Sequence, residues 1–169
     1  MKTVYLVRHA KSSWKNPDLN DFDRPLNKRG KRDAPFMGRR LRLQNITPDL
    51  LISSPAKRAA KTAKILAEEM NFPKKKIEWE ETIYMLGTKE ILDIIHRTSD
   101  EHKSIMIVGH NPGLNFTAEY LSGQDLENIP TCGIFSMEFD VRSWKDVSRG
   151  LGKTLFFDYP KKHSISLKK

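Results

Sequence analysis

A single cysteine, Cys132, stands among 169 residues. It excludes an intramolecular disulfide and predicts a reducing compartment, the cytoplasm by default. No stretch approaches the ~18–20 consecutive apolar residues of a membrane span. Met1-Lys2 runs straight into a strand-like segment, which leaves no room for a secretory leader. Acidic residues are in deficit: 21 Asp/Glu face 30 Lys/Arg, for a formal net charge of +9. The excess is concentrated up to Asn45, where twelve Lys/Arg meet four Asp/Glu. A face of that charge meets solvent or an anion: a phosphate, an acidic protein or a nucleic acid. No nucleic-acid module and no row of aromatics accompanies it, so nucleic acid is set aside. Internal repeats and linkers are also lacking. The chain therefore reads as one domain over residues 1–160, with a basic tail over 161–169 behind Pro160.

What is present is an alternation of strands and helices. At 38% apolar and 30% charged residues, the chain suits a soluble globular domain with a substantial core. Thr3-Val4-Tyr5-Leu6-Val7, Leu50-Leu51-Ile52 and Ser104-Ile105-Met106-Ile107-Val108 read as buried strands, with a shorter strand over 77–81. Asn27 is placed to cap a helix from Lys28 toward Leu43, with a kink expected at Pro35. Ser54 is expected as the N-cap and Pro55 as the first residue of a helix reaching Met70. A third helix is capped by Thr88 and ends near Arg97, and a fourth runs from Gly113 to about Ser122. Residues 134–141 and 153–159 read as strands with no long helix between them, hence antiparallel at one side. The expected fold is a three-layer α/β/α sandwich with a mainly parallel sheet.

Three strand ends carry polar groups that a packed core would not want. The first ends in Arg8-His9-Ala10, the second leads into a helix carrying Arg58, and the third ends in Gly109-His110-Asn111-Pro112-Gly113. Parallel strands present their C-terminal ends at one edge, where ligands of open α/β sheets are met. Two guanidiniums, two imidazoles and two helix N-termini at that edge describe a phosphate cradle. In it His9 is the candidate nucleophile. Two neighbouring cations keep an imidazole neutral, as a nucleophile must be. Cys132 has no visible base partner, and His96, His102 and His163 lie in polar surroundings without an evident role.

These residues carry a resemblance. Val7-Arg8-His9-Ala10, Asp23-Arg24-Pro25-Leu26, Ser53-Ser54-Pro55 with Arg58-Ala59 and Thr62-Ala63, and Val108 to Gly113 together resemble the histidine phosphatase (phosphoglycerate mutase-like) superfamily. The uninterrupted form is similar to its SixA-type phosphohistidine phosphatases. The resemblance spans residues 3 to about 122 and implies a phosphoglycerate mutase-like fold. It implies that His9 is transiently phosphorylated and that Arg8, Arg58 and His110 bind the phosphoryl group, with neither metal nor cofactor. Ala10 stands where the superfamily more commonly has glycine. Glu81 resembles the general acid of larger relatives, though it also sits in an acidic stretch with Glu78 and Glu80. Between Arg58 and His110 the sequence leaves no insertion long enough for a lid, and small-molecule pockets usually enclose their ligands. A phosphorylated protein side chain is therefore the expected substrate. The alternatives are a small phosphomonoester, or a phosphate-dependent binding module without turnover.

Overall fold

A computed structural model describes residues 1–85 and 87–163. The elements run β1 (Lys2–Arg8), α1 (Lys28–Leu43), β2 (Leu50–Ser53), α2 (Lys57–Glu69), β3 (Glu78–Trp79), α3 (Thr82–Met85), α4 (Thr88–Arg97), β4 (Ser104–Gly109), α5 (Gly113–Ser122), β5 (Ile134–Phe139) and β6 (Lys153–Asp158). The strands form one sheet in the order β3-β2-β4-β1-β5-β6. The first four are mutually parallel, and β5 runs antiparallel to both β1 and β6. Strands buried on both faces must be apolar on both, and Val4, Leu6 and Val7 of β1 and Ile105 to Val108 of β4 are fully buried. One face packs with Met37 and Leu41 of α1 and Ala63, Leu66 and Ala67 of α2. The other packs with Ile91, Ile94 and Ile95 of α4 and Leu114, Ala118 and Leu121 of α5. This is the three-layer sandwich the alternation implied, with antiparallel strands at one side. Among the described residues no helix is long and apolar enough to cross a membrane.

Local structure departs from the sequence reading in instructive places. Helix α1 runs unbroken through Pro35; the proline forfeits one hydrogen bond, to the carbonyl of Lys31, in an otherwise continuous helix. Asn27 caps it as expected, its side chain accepting from the Gly30 amide at 2.9 Å. Gly30 is required there by close approach, since a Cβ would lie 2.2 Å from the Lys11 carbonyl oxygen. Ser54 is not the cap of α2: Ala56 occupies that position, and the serine hydroxyl is turned toward His110. Helix α4 begins after Gly87, whose amide is taken by the Glu90 side chain at 2.9 Å. The expected strand at 77–81 shrinks to two residues, and a helical turn, α3, follows it. Of the basic tail, residues up to 163 form a 3-10 turn, Pro160–His163, in which His163 meets Asp158 at 2.6 Å. Residues 164–169 lie outside the described residues.

Register is what assembles the site. Arg8 pairs with Gly109 and Ser53 with Val108, so the residues just beyond β1, β4 and β2 stand side by side. The His9 amide donates to the Gly109 carbonyl at 3.0 Å, and the Ser54 amide to that of Val108 at 3.0 Å.

Candidate active site

His9 and His110 emerge from neighbouring strands with ring centroids 5.1 Å apart. Both are buried. The Nδ1 of His9 lies 2.8 Å from the Ala10 carbonyl. A carbonyl only accepts, so Nδ1 carries the proton and Nε2 presents a bare lone pair. Arg58 reaches this atom, its Nε 3.4 Å away. The loop behind His9 is pinned by Thr62 of α2, whose hydroxyl accepts from the Ala10 amide at 3.0 Å and donates to the Arg58 carbonyl at 2.7 Å. The segments carrying His9 and Arg58 are thus held by a single side chain.

His110 is fixed from the opposite nitrogen. Its Nε2 lies 2.8 Å from the Ser54 hydroxyl, which also accepts from the Ala56 amide at 3.2 Å. The ring's other nitrogen, Nδ1, is buried and without a partner. A buried ring nitrogen with no partner is uncommon and asks for an explanation, which a proton on this nitrogen and an anion beside it would give. Arg8 offers a second such donor: its Nη1 donates to the Ile129 carbonyl at 3.0 Å, while its buried Nε bonds nothing. An oxyanion would satisfy both.

Burial pushes His9 down to about 3, helped by the charges of His110, Arg58 and Arg8 and opposed by the bond to Ala10. Burial and then Arg58 push His110 down to about 4, with Arg8 adding to the effect and Asp21 opposing it. Both imidazoles are therefore neutral near pH 7. The stability consequence has a definite sign. Folded pKa values below the ordinary 6.5 mean that the unfolded chain binds more protons in acid. The contribution is fully present above about pH 6.5 and is lost as pH falls through about 4 and about 3. Calorimetric melting temperatures should fall steeply over that window, and His9→Gln should flatten the fall. An unchanged slope in the variant would show that His9 is not held neutral by burial.

Two site residues gave no signal in the sequence. The 3-10 turn Asp21–Asp23 of the long loop behind His9 brings Asp21 onto Arg58. Its carboxylate accepts from Arg58 Nη2 at 2.9 Å, from the Tyr84 hydroxyl at 2.6 Å and from Arg24 Nη1 at 2.9 Å, while its carbonyl accepts from Arg58 Nη1 at 2.6 Å. The Tyr84 hydroxyl, then Arg58 and Arg24, hold this carboxyl well below the usual range. Tyr84 also packs edge-on against His110, with centroids 5.4 Å apart. Arg24 is braced by the Ser12 hydroxyl at 2.6 Å and by the face of Trp14.

Glu81 is not drawn into this cluster. It is exposed at the start of the α3 turn, and neither imidazole owes any of its shift to it, whereas His110 feels Asp21. Cys132 is fully buried, and burial raises its thiol pKa, which suits packing rather than nucleophilic attack. His96 bonds the Val147 carbonyl at 2.7 Å, away from the cluster.

Comparison with known proteins agrees with this arrangement. The profile of the histidine phosphatase superfamily (branch 1) matches residues 4–84. The uncharacterized protein Rv1276c of Mycobacterium tuberculosis is 30% identical over 166 residues, covering 92% of this chain and all of that one. A chloroplastic protein of Arabidopsis thaliana, At3g52155, is 29% identical over 153 residues, covering 86% of this chain and 70% of that one. Among solved structures, a candidate phosphohistidine phosphatase, SixA, from Agrobacterium tumefaciens superposes with a TM-score of 0.82 at 29% identity, covering 94% of this chain and 98% of that one. A protein histidine phosphatase SixA complexed with tungstate has the same fold, with a TM-score of 0.82 at 20% identity over 95% of this chain and 98% of that one. The chain belongs to the histidine phosphatase superfamily and is of its SixA type. Its class is that of phosphohydrolases.

Proposed function

We propose that this protein hydrolyses phosphohistidine carried by a partner protein, with His9 as the transient phosphoryl acceptor. The observation that carries the reading is the His9 imidazole: neutral, anchored through Nδ1, with its Nε2 lone pair beside Arg58. Nε2 attacks phosphorus as the N–P bond of the substrate breaks, and the released imidazole takes a proton from water. A water molecule then attacks the phosphorus on His9, yielding inorganic phosphate and restoring Nε2. Two displacements replace one difficult step. Arg8, Arg58 and the Nδ1–H of His110 supply donors for the phosphoryl oxygens.

The leaving group distinguishes among substrates. An alkoxide leaving from a phosphate ester needs a proton, which an ionised carboxylate cannot give. Asp21 is held ionised by its donors, and Glu81 stands outside the cluster. An imidazole leaves more readily than an alkoxide, so a phosphoramidate suits this site. The solved Agrobacterium relative bears a phosphohistidine phosphatase name, which supports the same choice. The buried free thiol of Cys132 fits a reducing compartment such as the cytoplasm.

Comparative turnover tests this directly. A phosphohistidine peptide should show a kcat/KM at least about a hundredfold above sugar phosphates of equal charge, the size of effect typical of one missing proton donor. Equal or reversed values would move the assignment to small phosphomonoesters. Binding of both without turnover would make the protein a phosphate-dependent binding module.

A further inference from the structure

Beside Arg58, on the outer side of the Asp21–Asp23 turn, lies an open groove of about 580 Å³ between that turn, α1 and α2. Its floor is apolar, made by Phe22, Leu26, Pro55 and Ala60. Phe22 is the shared wall: it faces the groove and also meets the ring of Tyr84 edge-on, with centroids 5.1 Å apart. The groove and the catalytic cluster are therefore adjacent across the Asp21–Asp23 turn.

The rim is built from lysines. Lys31 of α1 and Lys57, Lys61 and Lys64 of α2 all line the groove, and all four are exposed. Lys57, Lys61 and Lys64 stand at i, i+4 and i+7, on one face of the helix. Like charges at such spacings repel, and Lys57 adds a cation at the positive end of the helix. Among the described residues none of the four makes an ion pair with a carboxylate. Most arginines nearby do: Arg39 and Arg42 face Glu69, and Arg40 takes Asp158. The one carboxylate lining the groove is Asp23. Lys64 lies over the Trp79 ring at 5.6 Å, but folding alone gives no reason to gather four cations without carboxylate partners around an apolar trough. A bound chain with the complementary pattern does.

We infer that this groove docks an acidic segment bearing apolar side chains, next to the phosphorylated histidine of the partner protein. The inference rests on the phosphohistidine reading above. Leucine-type side chains would cover Phe22, Leu26 and Ala60, while carboxylates pair with the lysine rim. The apolar floor favours a polypeptide over a nucleic acid, which would meet the lysines but leave the floor uncovered.

The experiment compares two phosphohistidine peptides of equal length. One carries an arm of alternating Leu and Glu, the other an arm of Ser and Gln; free phosphohistidine is the third substrate. In about 0.15 M salt, where long-range steering is damped, the wild-type protein should favour the Leu/Glu arm about tenfold in KM with kcat unchanged. K61E/K64E should abolish that preference and leave hydrolysis of free phosphohistidine within about twofold, because neither lysine touches the imidazoles. Unfolding curves of the variant control for folding. Equal use of the two arms by the wild type, or a preference that survives K61E/K64E, overturns the groove and leaves the phosphatase reading standing. No turnover of any of the three substrates overturns the phosphohistidine reading itself. A change in sedimentation on K61E/K64E, without arm preference, would assign the groove to a second copy of this chain. Loss of binding to a single-stranded RNA probe, again without arm preference, would assign it to nucleic acid.

Discussion

His9→Ala is expected to lower turnover of a phosphohistidine substrate by on the order of 10⁴–10⁶-fold, the range seen when a covalent nucleophile is removed. Brief exposure of the wild type to a radiolabelled phosphoryl donor should leave label on the protein that survives base and is lost in acid, the stability pattern of an N–P bond. The variant should take up none. The size of the effect follows from geometry. His9 Nε2 carries a bare lone pair because Nδ1 bonds the Ala10 carbonyl, and it faces Arg58, whereas His110 Nε2 is engaged by Ser54. Because the alanine variant keeps Arg8, Arg58 and His110, it should still bind inorganic phosphate. Acid-labile label in His9→Ala, or turnover within tenfold of wild type, would remove His9 from the reaction.

Arg58→Ala should cost about 10²–10³-fold in kcat/KM, as for loss of a preorganised donor to the transferring group. It should also raise the pKa of both imidazoles, because Arg58 lowers each of them. Proton NMR titration of the two rings reads that second effect independently of activity. The direction distinguishes an electrostatic role from a structural one: a variant that merely loosened the site would lose activity without an upward move confined to these rings. Arg58→Lys should recover little. The guanidinium serves His9 through Nε and Asp21 through both Nη atoms, a planar division of labour that an ammonium cannot copy. Both Nη atoms of Arg58 donate to Asp21, so in the proposed reaction a phosphoryl oxygen would compete with Asp21 for them.

Legibility in the sequence tracked distance along the chain. Arg8, His9 and His110 were visible because each follows directly on an apolar strand, and a change from apolar to cationic within two residues is a local signal. Arg58 was visible through the helix that follows the second strand. Ser54 was visible as a polar residue at a helix start, but besides the Ala56 amide its hydroxyl meets an imidazole 56 positions away. Asp21 and Tyr84 lay in segments with no periodicity to read. They meet across 63 positions only because the loop behind His9 folds back over α2. Tyr84 reaches Asp21 and His110 from α3, while Glu81, just before that turn, is exposed; nothing in the local sequence separates the two.

The sequence by itself determined the elements and the chemical inventory, because strand and helix periodicities and strand-end residues are written within a few positions of one another. Only the tertiary structure decided that β4 lies between β1 and β2, in a register that sets His9, Ser54 and His110 in one row. That choice is made by burying both faces of each strand at once, a condition shared among residues some hundred positions apart and carried by no single stretch.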